Sequence, residues 1–189
     1  MEEQWNRIRD RLATLGCLPD MALRPGAAQA GIDALEEHLG VQLPEAFRQF
    51  LRIHDGQDGQ DGAGLFYGNQ LLSVTGIRDA WDGWRDLDED EMNADCADSM
   101  GSEPEGFIKP LYCNRGWIPF AHDGGGNHIG IDFDPDALGT SGQIIAFGRD
   151  EDTKRLLAPS FDAFIDDGIA WLDRAVWNGM YLDVARDAA

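Results

Sequence analysis

The stretch from Trp117 to Asp150 constrains this chain most, because glycine, aspartate and proline cut it into three short apolar runs. Trp117–Phe120, His128–Phe133 and Gln143–Phe147 are separated by Asp123-Gly124-Gly125-Gly126-Asn127 and by the segment from Asp134-Pro135-Asp136 to Gly142. Runs this short, bounded in this way, read as consecutive strands joined by turns. In the middle run Ile129, Ile131 and Phe133 alternate with His128, Gly130, Asp132 and Asp134. A strand therefore puts the branched and aromatic side chains on one face and the polar groups on the other. Successive glycines reach positive φ without steric cost, and Asn127 tolerates the same region, which suits a tight hairpin with Asp123 and Asn127 capping its free amides. The expectation is a three-strand meander at the centre of the domain.

A chain of 189 residues holds one well-buried core and barely two small ones. A single domain over 1–189 is expected, with a core at 28–176, an N-terminal helix at 2–15 and a tail at 177–189. With 43% hydrophobic residues, six tryptophans and nine phenylalanines, the composition is that of a folded protein. The balance of 35 acidic to 15 basic residues, a net charge of -20, repels phosphate backbones and anionic lipid. Nucleic acid and membrane are thus poor partners and a basic protein is a good one, although charge of this size also serves solubility alone. Cys17, Cys96 and Cys113 are odd in number and widely spaced, the pattern of packing residues in a reducing compartment. No export signal opens the sequence and no apolar run approaches the ~18 residues of a membrane span, so a cytoplasmic location is expected.

Outside the meander, periodicity predicts helices. Trp5, Ile8, Leu12 and Leu15 share one face up to Gly16; Ile32, Leu35 and Leu39 share another up to Gly40; Pro44-Glu45 opens a third carrying Phe47, Phe50 and Leu51. His54 reads as a partly buried helix-end residue. Leu65–Val74 reads as a strand or a hairpin around Gly68-Asn69, and Ile77, Trp81, Trp84 and Leu87 as a fourth helix starting near Ser73. The low-complexity stretch 56–64, with its repeated Gln-Asp-Gly, reads as a mobile solvated loop rather than a calcium site, and 93–106, without a period, as a variable loop. Phe107–Cys113 is expected to hold a short strand, 150–154 a turn and Leu156–Ala158 an edge strand. Ser160 is the expected N-cap of a last helix whose apolar face is Phe161, Phe164, Ile165, Ile169 and Leu172, with the tail from Trp177 extending it or fraying.

Three constellations could carry chemistry. His122, Asp123, His128, Asp132, Asp134 and Asp136 are dense enough to suggest a metal, yet residues four and six apart on one strand lie roughly 13 and 20 Å apart, too far to share an ion. Asp132-x-Asp134-x-Asp136 imitates the start of a calcium loop, but Pro135 and Ala137 interrupt it and Gln143 stands where a bidentate glutamate belongs, so turn capping is expected. His122-Asp-Gly-Gly-Gly126 lacks the G-x-S-x-G serine that an esterase needs, and no lysine-tipped phosphate loop occurs. No enzyme activity, cofactor or metal is therefore expected, a metal-dependent hydrolase being the remote alternative. The third constellation places Trp81 and Trp84 beside Asp86, Asp88, Glu89, Asp90 and Glu91. Aromatic anchors next to carboxylates form a binding surface for a lysine- and arginine-rich partner, unless the tryptophans are core and the acids a solvated face.

The order of these pieces resembles a known family. Ile32-Asp-Ala-Leu-Glu-Glu-His-Leu-Gly-Val-Gln-Leu-Pro44, Phe47, Phe50-Leu51, His54-Asp-Gly56, Leu71-Leu-Ser73, Trp117-Ile-Pro119, Asp123-Gly124-Gly125-Gly126-Asn127, Ile131-Asp132, Pro135, Gly142-Gln143 and Ala158-Pro-Ser160-Phe161 together resemble the SUKH superfamily, in its Smi/Knr group, over about 32–172. The resemblance implies an α+β fold with a mixed sheet packed by N-terminal and C-terminal helices, no catalytic residues and a binding role. Many bacterial members look like immunity proteins that neutralise polymorphic toxins, including nucleases, and the leading expectation is accordingly an immunity protein that binds and blocks a cognate toxin; the fungal members suggest the alternative, a regulatory or scaffolding module. Trp117, Pro119, Asp123, Gly124, Gly125, Gly126, Asn127, Asp132, Pro135, Gly142, Ser160 and Phe161 transfer as structural positions. The expected partner is a protein, a basic toxin domain in the immunity reading, with the partner-specific surface in the departures from the family pattern, the Gln-Asp-Gly loop and the acidic segment after Trp84.

Overall fold

The structure, a computed structural model, describes residues 1–58, 63–87 and 89–184. Its centre is the expected meander: β3 (Trp117–His122), β4 (Asn127–Asp132) and β5 (Gln143–Gly148) pair antiparallel, with Ile118 opposite Ile131 and Ile131 opposite Ile144. Three further strands complete a mixed sheet in the order β1-β3-β4-β5-β6-β2. β1 (Gln70–Leu71) pairs antiparallel with β3, β6 (Thr153–Ala158) antiparallel with β5, and β2 (Gly101–Glu103) parallel with β6. Pro119, which has no N–H to give a ladder, stands at the bulge in β3.

The helices follow their predicted stripes. α1 (Glu2–Leu15) ends at Gly16, which takes φ 78 and sends its N–H back to Ala13 O; α2 (Gln29–Leu39) ends the same way at Gly40, φ 70. α3 (Glu45–Ile53) buries Phe47, Phe50 and Leu51, and His54 after it rests edge-on against Trp5. α4 (Val74–Arg85) begins under two caps, with Ser73 Oγ accepting from Gly76 N–H at 3.0 Å and Asp55 Oδ1 from Val74 N–H at 2.7 Å. Ser160 caps α6 (Phe161–Arg174) through Ala163 N–H, 3.3 Å.

The main core lies between these helices and one face of the sheet. Phe47 and Phe50 of α3, Phe120 of β3 and Phe161 and Phe164 of α6 stack within it, Phe47 and Phe161 at 4.9 Å between centroids. Each ring buried there contributes roughly 1.5–3 kcal/mol of transfer free energy.

The opposite face departs from the sequence expectation. Ile129 and Ile131 do point into the main core, yet His128, Gly130 and Asp132 do not face open solvent. A second, smaller core of Ile108, Trp117, Ile145 and Phe147, with Trp84, Phe107, Leu111 and Leu156 against it, covers that side. Gly130 is glycine for this reason: a Cβ there would stand 2.6 Å from the Phe147 ring and 2.7 Å from Ile118 O.

Several local expectations are corrected. Residues 93–106 are not one loop: they contain the end of α5 (Glu89–Cys96) and β2. No strand forms in 107–113, where Asn93 rather than a neighbouring strand takes the backbone groups of Tyr112 and Cys113. β6 begins at Thr153, inside the expected turn, and β2 pairs with its first half, 153–155, but not with the expected edge segment 156–158. After α6 the described part of the chain forms a hairpin, β7 (Ala175–Trp177) with β8 (Leu182–Val184), in place of the expected helix extension, and 185–189 of the expected tail lie outside the described residues. Of the glutamine-aspartate-glycine loop, 59–62 lie outside the described residues; Gln57 before them is pinned, donating to Met21 O and Ala63 O while its Oε1 accepts from Leu65 and Leu71.

Candidate protein-binding surface

The predicted aromatic–acidic constellation falls on α4 and α5. Trp81 and Trp84 are three residues apart on α4 and so share one face, yet they pack in different cores. Trp81 is 5% exposed, packs in the main core and donates its Nε1–H to Arg115 O at 3.0 Å. Arg85 lies over its outer ring face at 4.5 Å, and His38, joined to Asp82 at 2.8 Å, meets it edge-on. Trp84 is half-buried and closes the second core, within 5.9 Å of the Phe147 and Tyr112 rings. The crevice between the two indoles holds about 10 Å³, room for no more than a water. The tryptophan nearest solvent is therefore Trp84.

The acids follow where α4 ends. Asp86, Asp90 and Glu91 are exposed; Asp88 and the side chain of Glu89 lie outside the described residues. α5 carries little apolar surface, so polar ties hold it. Asn93 accepts from the N–H groups of Tyr112 and Cys113 at 2.8 and 3.0 Å and donates to Cys113 O at 2.9 Å. Beneath the following turn Lys154 is fully buried, its Nζ bonded to Glu151 O and 3.6 Å from Met100 Sδ. Burial pulls its pKa below the usual lysine range, against the raising effect of Asp152 and Glu151. Neither Asn93 nor Lys154 stood out in the sequence, because the partners of Asn93 are distant in the chain and the burial of Lys154, whose Nζ bonds nearby Glu151 O, depends on tertiary packing.

The glycine turn and the buried acids behave as architecture. Asp123 accepts from Gly125 and Asn127 N–H and from Asn127 Nδ2, and Asn127 Oδ1 accepts from Asp150 N–H, which ties the turn to the β5–β6 connection. Gly124 and Gly126 take φ 80 and 105. Asp132 is fully buried, accepting from Asp134 N–H at 2.9 Å and from Gln143 Nε2 at 2.9 Å. Burial raises its pKa to about 6. Asp134 turns away to Lys109, 2.5 Å, and Asn114, 3.0 Å. Gly142 returns its N–H to Asp132 O, Pro135 packs against Gly139, and Trp117 and Phe161 are core. His128, on the covered face against Trp84 and Phe147, has its pKa lowered by burial to about 4. Among the described residues no three of the His, Cys, Asp and Glu side chains are grouped to hold a metal ion, and no helix is long and apolar enough to cross a membrane.

Fold and surface together define a sheet-centred α+β module, caged on both faces, with an acidic flank. The chain belongs to the SMI1 / KNR4 family (SUKH-1), whose model matches residues 26–167. It is 37% identical over 179 residues to the cell wall biosynthesis/cell cycle regulator smi1 of Schizosaccharomyces pombe, covering 87% of this chain and 34% of that protein. Identity to the cell wall assembly regulator SMI1 of Saccharomyces cerevisiae is 30% over 180 residues, 78% of this chain and 36% of that one. KNR4/SMI1 homolog 2 of Debaryomyces hansenii matches 99% of this chain and 39% of its own length at 30% identity. The chain thus spans between a third and two fifths of these curated relatives. None of the three names carries toxin immunity.

Proposed function

We propose that this chain is a non-catalytic, protein-binding regulatory or scaffolding module that works in the cytoplasm and meets a basic partner through the acidic end of α4 and α5. The observation that supports the reading most is the regulator names of two relatives, the fission yeast one matching at 37% identity over most of this chain. The net charge of -20 supports the choice of a basic partner. Exposed carboxylates on Asp86, Asp90 and Glu91 raise the on-rate for such a partner, and Trp84 beside them offers a partly desolvated anchor. The three hydrogen bonds that tie Asn93 of α5 to 112–113 lower the ordering cost on binding.

The test is deletion of the gene in its host with complementation. Regulation predicts a growth or envelope-stress defect in pure culture, restored by the wild-type chain and not by Asp86→Lys/Glu91→Lys folded to the same Tm. A strain that suffers only when a toxin-producing neighbour is present would instead mark an immunity protein, and restoration by the reversed variant would remove the acidic surface.

A further inference from the structure

The main-core face of the sheet is not filled to its end. A cleft of about 590 Å³ opens there, with Ile129, Ala146 and Leu157 as apolar lining and Tyr67, Asp123 and Glu151 among its polar groups. That volume is within the range of ligand clefts. Ile129 and Ala146 are cross-strand partners, so the lining is a continuous piece of sheet rather than a chance gap between loops.

Tyr67 is the unusual member. It and Gly68 are the two central residues of a tight hairpin, with Asn69 N–H donating to Phe66 O at 2.8 Å, and both take positive φ, 54 and 82. Paired positive φ is the geometry of a type I′ turn, whose first central position normally takes Asn, Asp or Gly and resists a tyrosine. The strain is sustained by the surroundings: Gly64 approaches so closely that a Cβ on it would meet Gly68 C at 2.2 Å, and the Tyr67 ring rests against Trp171 and Phe164, 5.2 and 6.0 Å away. The result is an aromatic ring, 41% exposed, held at the cleft in a conformation its own backbone disfavours. A local rule broken at the rim of a cleft marks a site of use.

The charge at the cleft is negative. The lining carboxylates, Asp123 and Glu151, outnumber the lining cation, Arg155, which is tied to Glu151 at 2.8 Å, while Asp167 and Arg174, both near Tyr67, offset each other. Burial pushes the Asp123 carboxyl up, but the hydrogen bonds from Asn127 and from Gly125 N–H outweigh it and hold the group below its usual range, so it stays ionised at neutral pH.

We propose that this cleft binds a short extended segment of a partner protein carrying a lysine or arginine beside apolar side chains, with Ile129, Ala146 and Leu157 taking the apolar groups, Tyr67 covering the cationic stem and Asp123 and Glu151 facing its charge. The proposal rests on the protein-binding reading above and adds a second contact, on the sheet face opposite Trp84. Its probe needs no native partner: the peptide Ac-Gly-Leu-Lys-Leu-Gly-NH2, titrated to millimolar concentration into the 15N-labelled full chain, with the glutamate-for-lysine peptide as control. Amide shifts are expected at 67–69, 123–129, 146 and 151–157 for the lysine peptide, and none there for the glutamate peptide. Tyr67→Asn, which suits the turn and so keeps the fold, is expected to weaken binding at least tenfold; Leu157→Glu, with an unchanged spectrum elsewhere, serves as a second variant. Shifts that are absent, that gather on α5 instead, or that survive Tyr67→Asn undiminished would overturn the proposal. Any of these would leave the deletion phenotype, and with it the regulatory reading, standing on its own result.

Discussion

Two buried titratable side chains on the second face of the sheet pull stability in opposite directions with pH. Burial raises the Asp132 pKa from 3.8 to about 6, so the folded state holds that proton more tightly than the unfolded chain. Its contribution is greatest below 3.8 and falls as pH rises through 6, by about 3 kcal/mol for a shift of two units. His128 does the reverse: burial first, then nearby His122, lower its pKa from 6.5 to about 4, so its contribution is full above 6.5 and is lost as pH falls towards 4. Between pH 4 and 6 the two slopes oppose each other. Urea unfolding across that range should show stability rising with pH for Asp132→Asn and falling with pH for His128→Gln; parallel curves for the two variants would refute the assignment. Asp132→Asn should also start about 1–3 kcal/mol less stable, because an amide N–H would then face Gln143 Nε2, whose own oxygen is committed to Thr140 N–H. The turn-capping role of Asp132 could be read from its spacing to Asp134. Its burial could not, since that depends on tertiary packing rather than on spacing in the chain.

At the level of elements, the helices and the meander were legible because each carries its own period and its own stops: Gly16, Gly40, Ser73, Ser160 and the glycine turn all sit where the boundaries fall. α5 and β2 were not legible, because each depends on a distant partner rather than on its own pattern, whereas the β7–β8 hairpin is local and its one signal was the Asn178-Gly179 turn between two strands of three residues. α5 gives the clearest test. Asn93→Ala removes three hydrogen bonds to 112–113, and amide exchange should quicken across Glu89–Cys96 while β3–β5 keep their protection. Equal loss of protection in the meander would show that α5 and the sheet unfold as one. Gly130→Ala should act oppositely, destabilising the whole sheet by more than about 2 kcal/mol, since the added methyl would meet backbone at Ile118 O as well as the Phe147 ring. Thermal and urea midpoints together check that value.

At the scale of the whole molecule, a net charge of -20 on 189 residues means that self-repulsion works against the compact state at low ionic strength. Raising salt from ~10 mM to ~300 mM shortens the screening length from about 30 Å to below 8 Å, and Tm should rise by a few degrees; an unchanged Tm would mean that the surface ion pairs offset the repulsion. The sequence by itself determined the helix stripes, the glycine turn, the acidic excess and the family, since each is written in residues close together in the chain. Only the tertiary structure decided that the sheet is covered on both faces, that Trp81 is core while Trp84 borders solvent, and that Tyr67 is held beside an unfilled cleft. Those outcomes depend on which distant segments pack together, and packing is settled by shape and volume across the whole chain rather than by any local pattern.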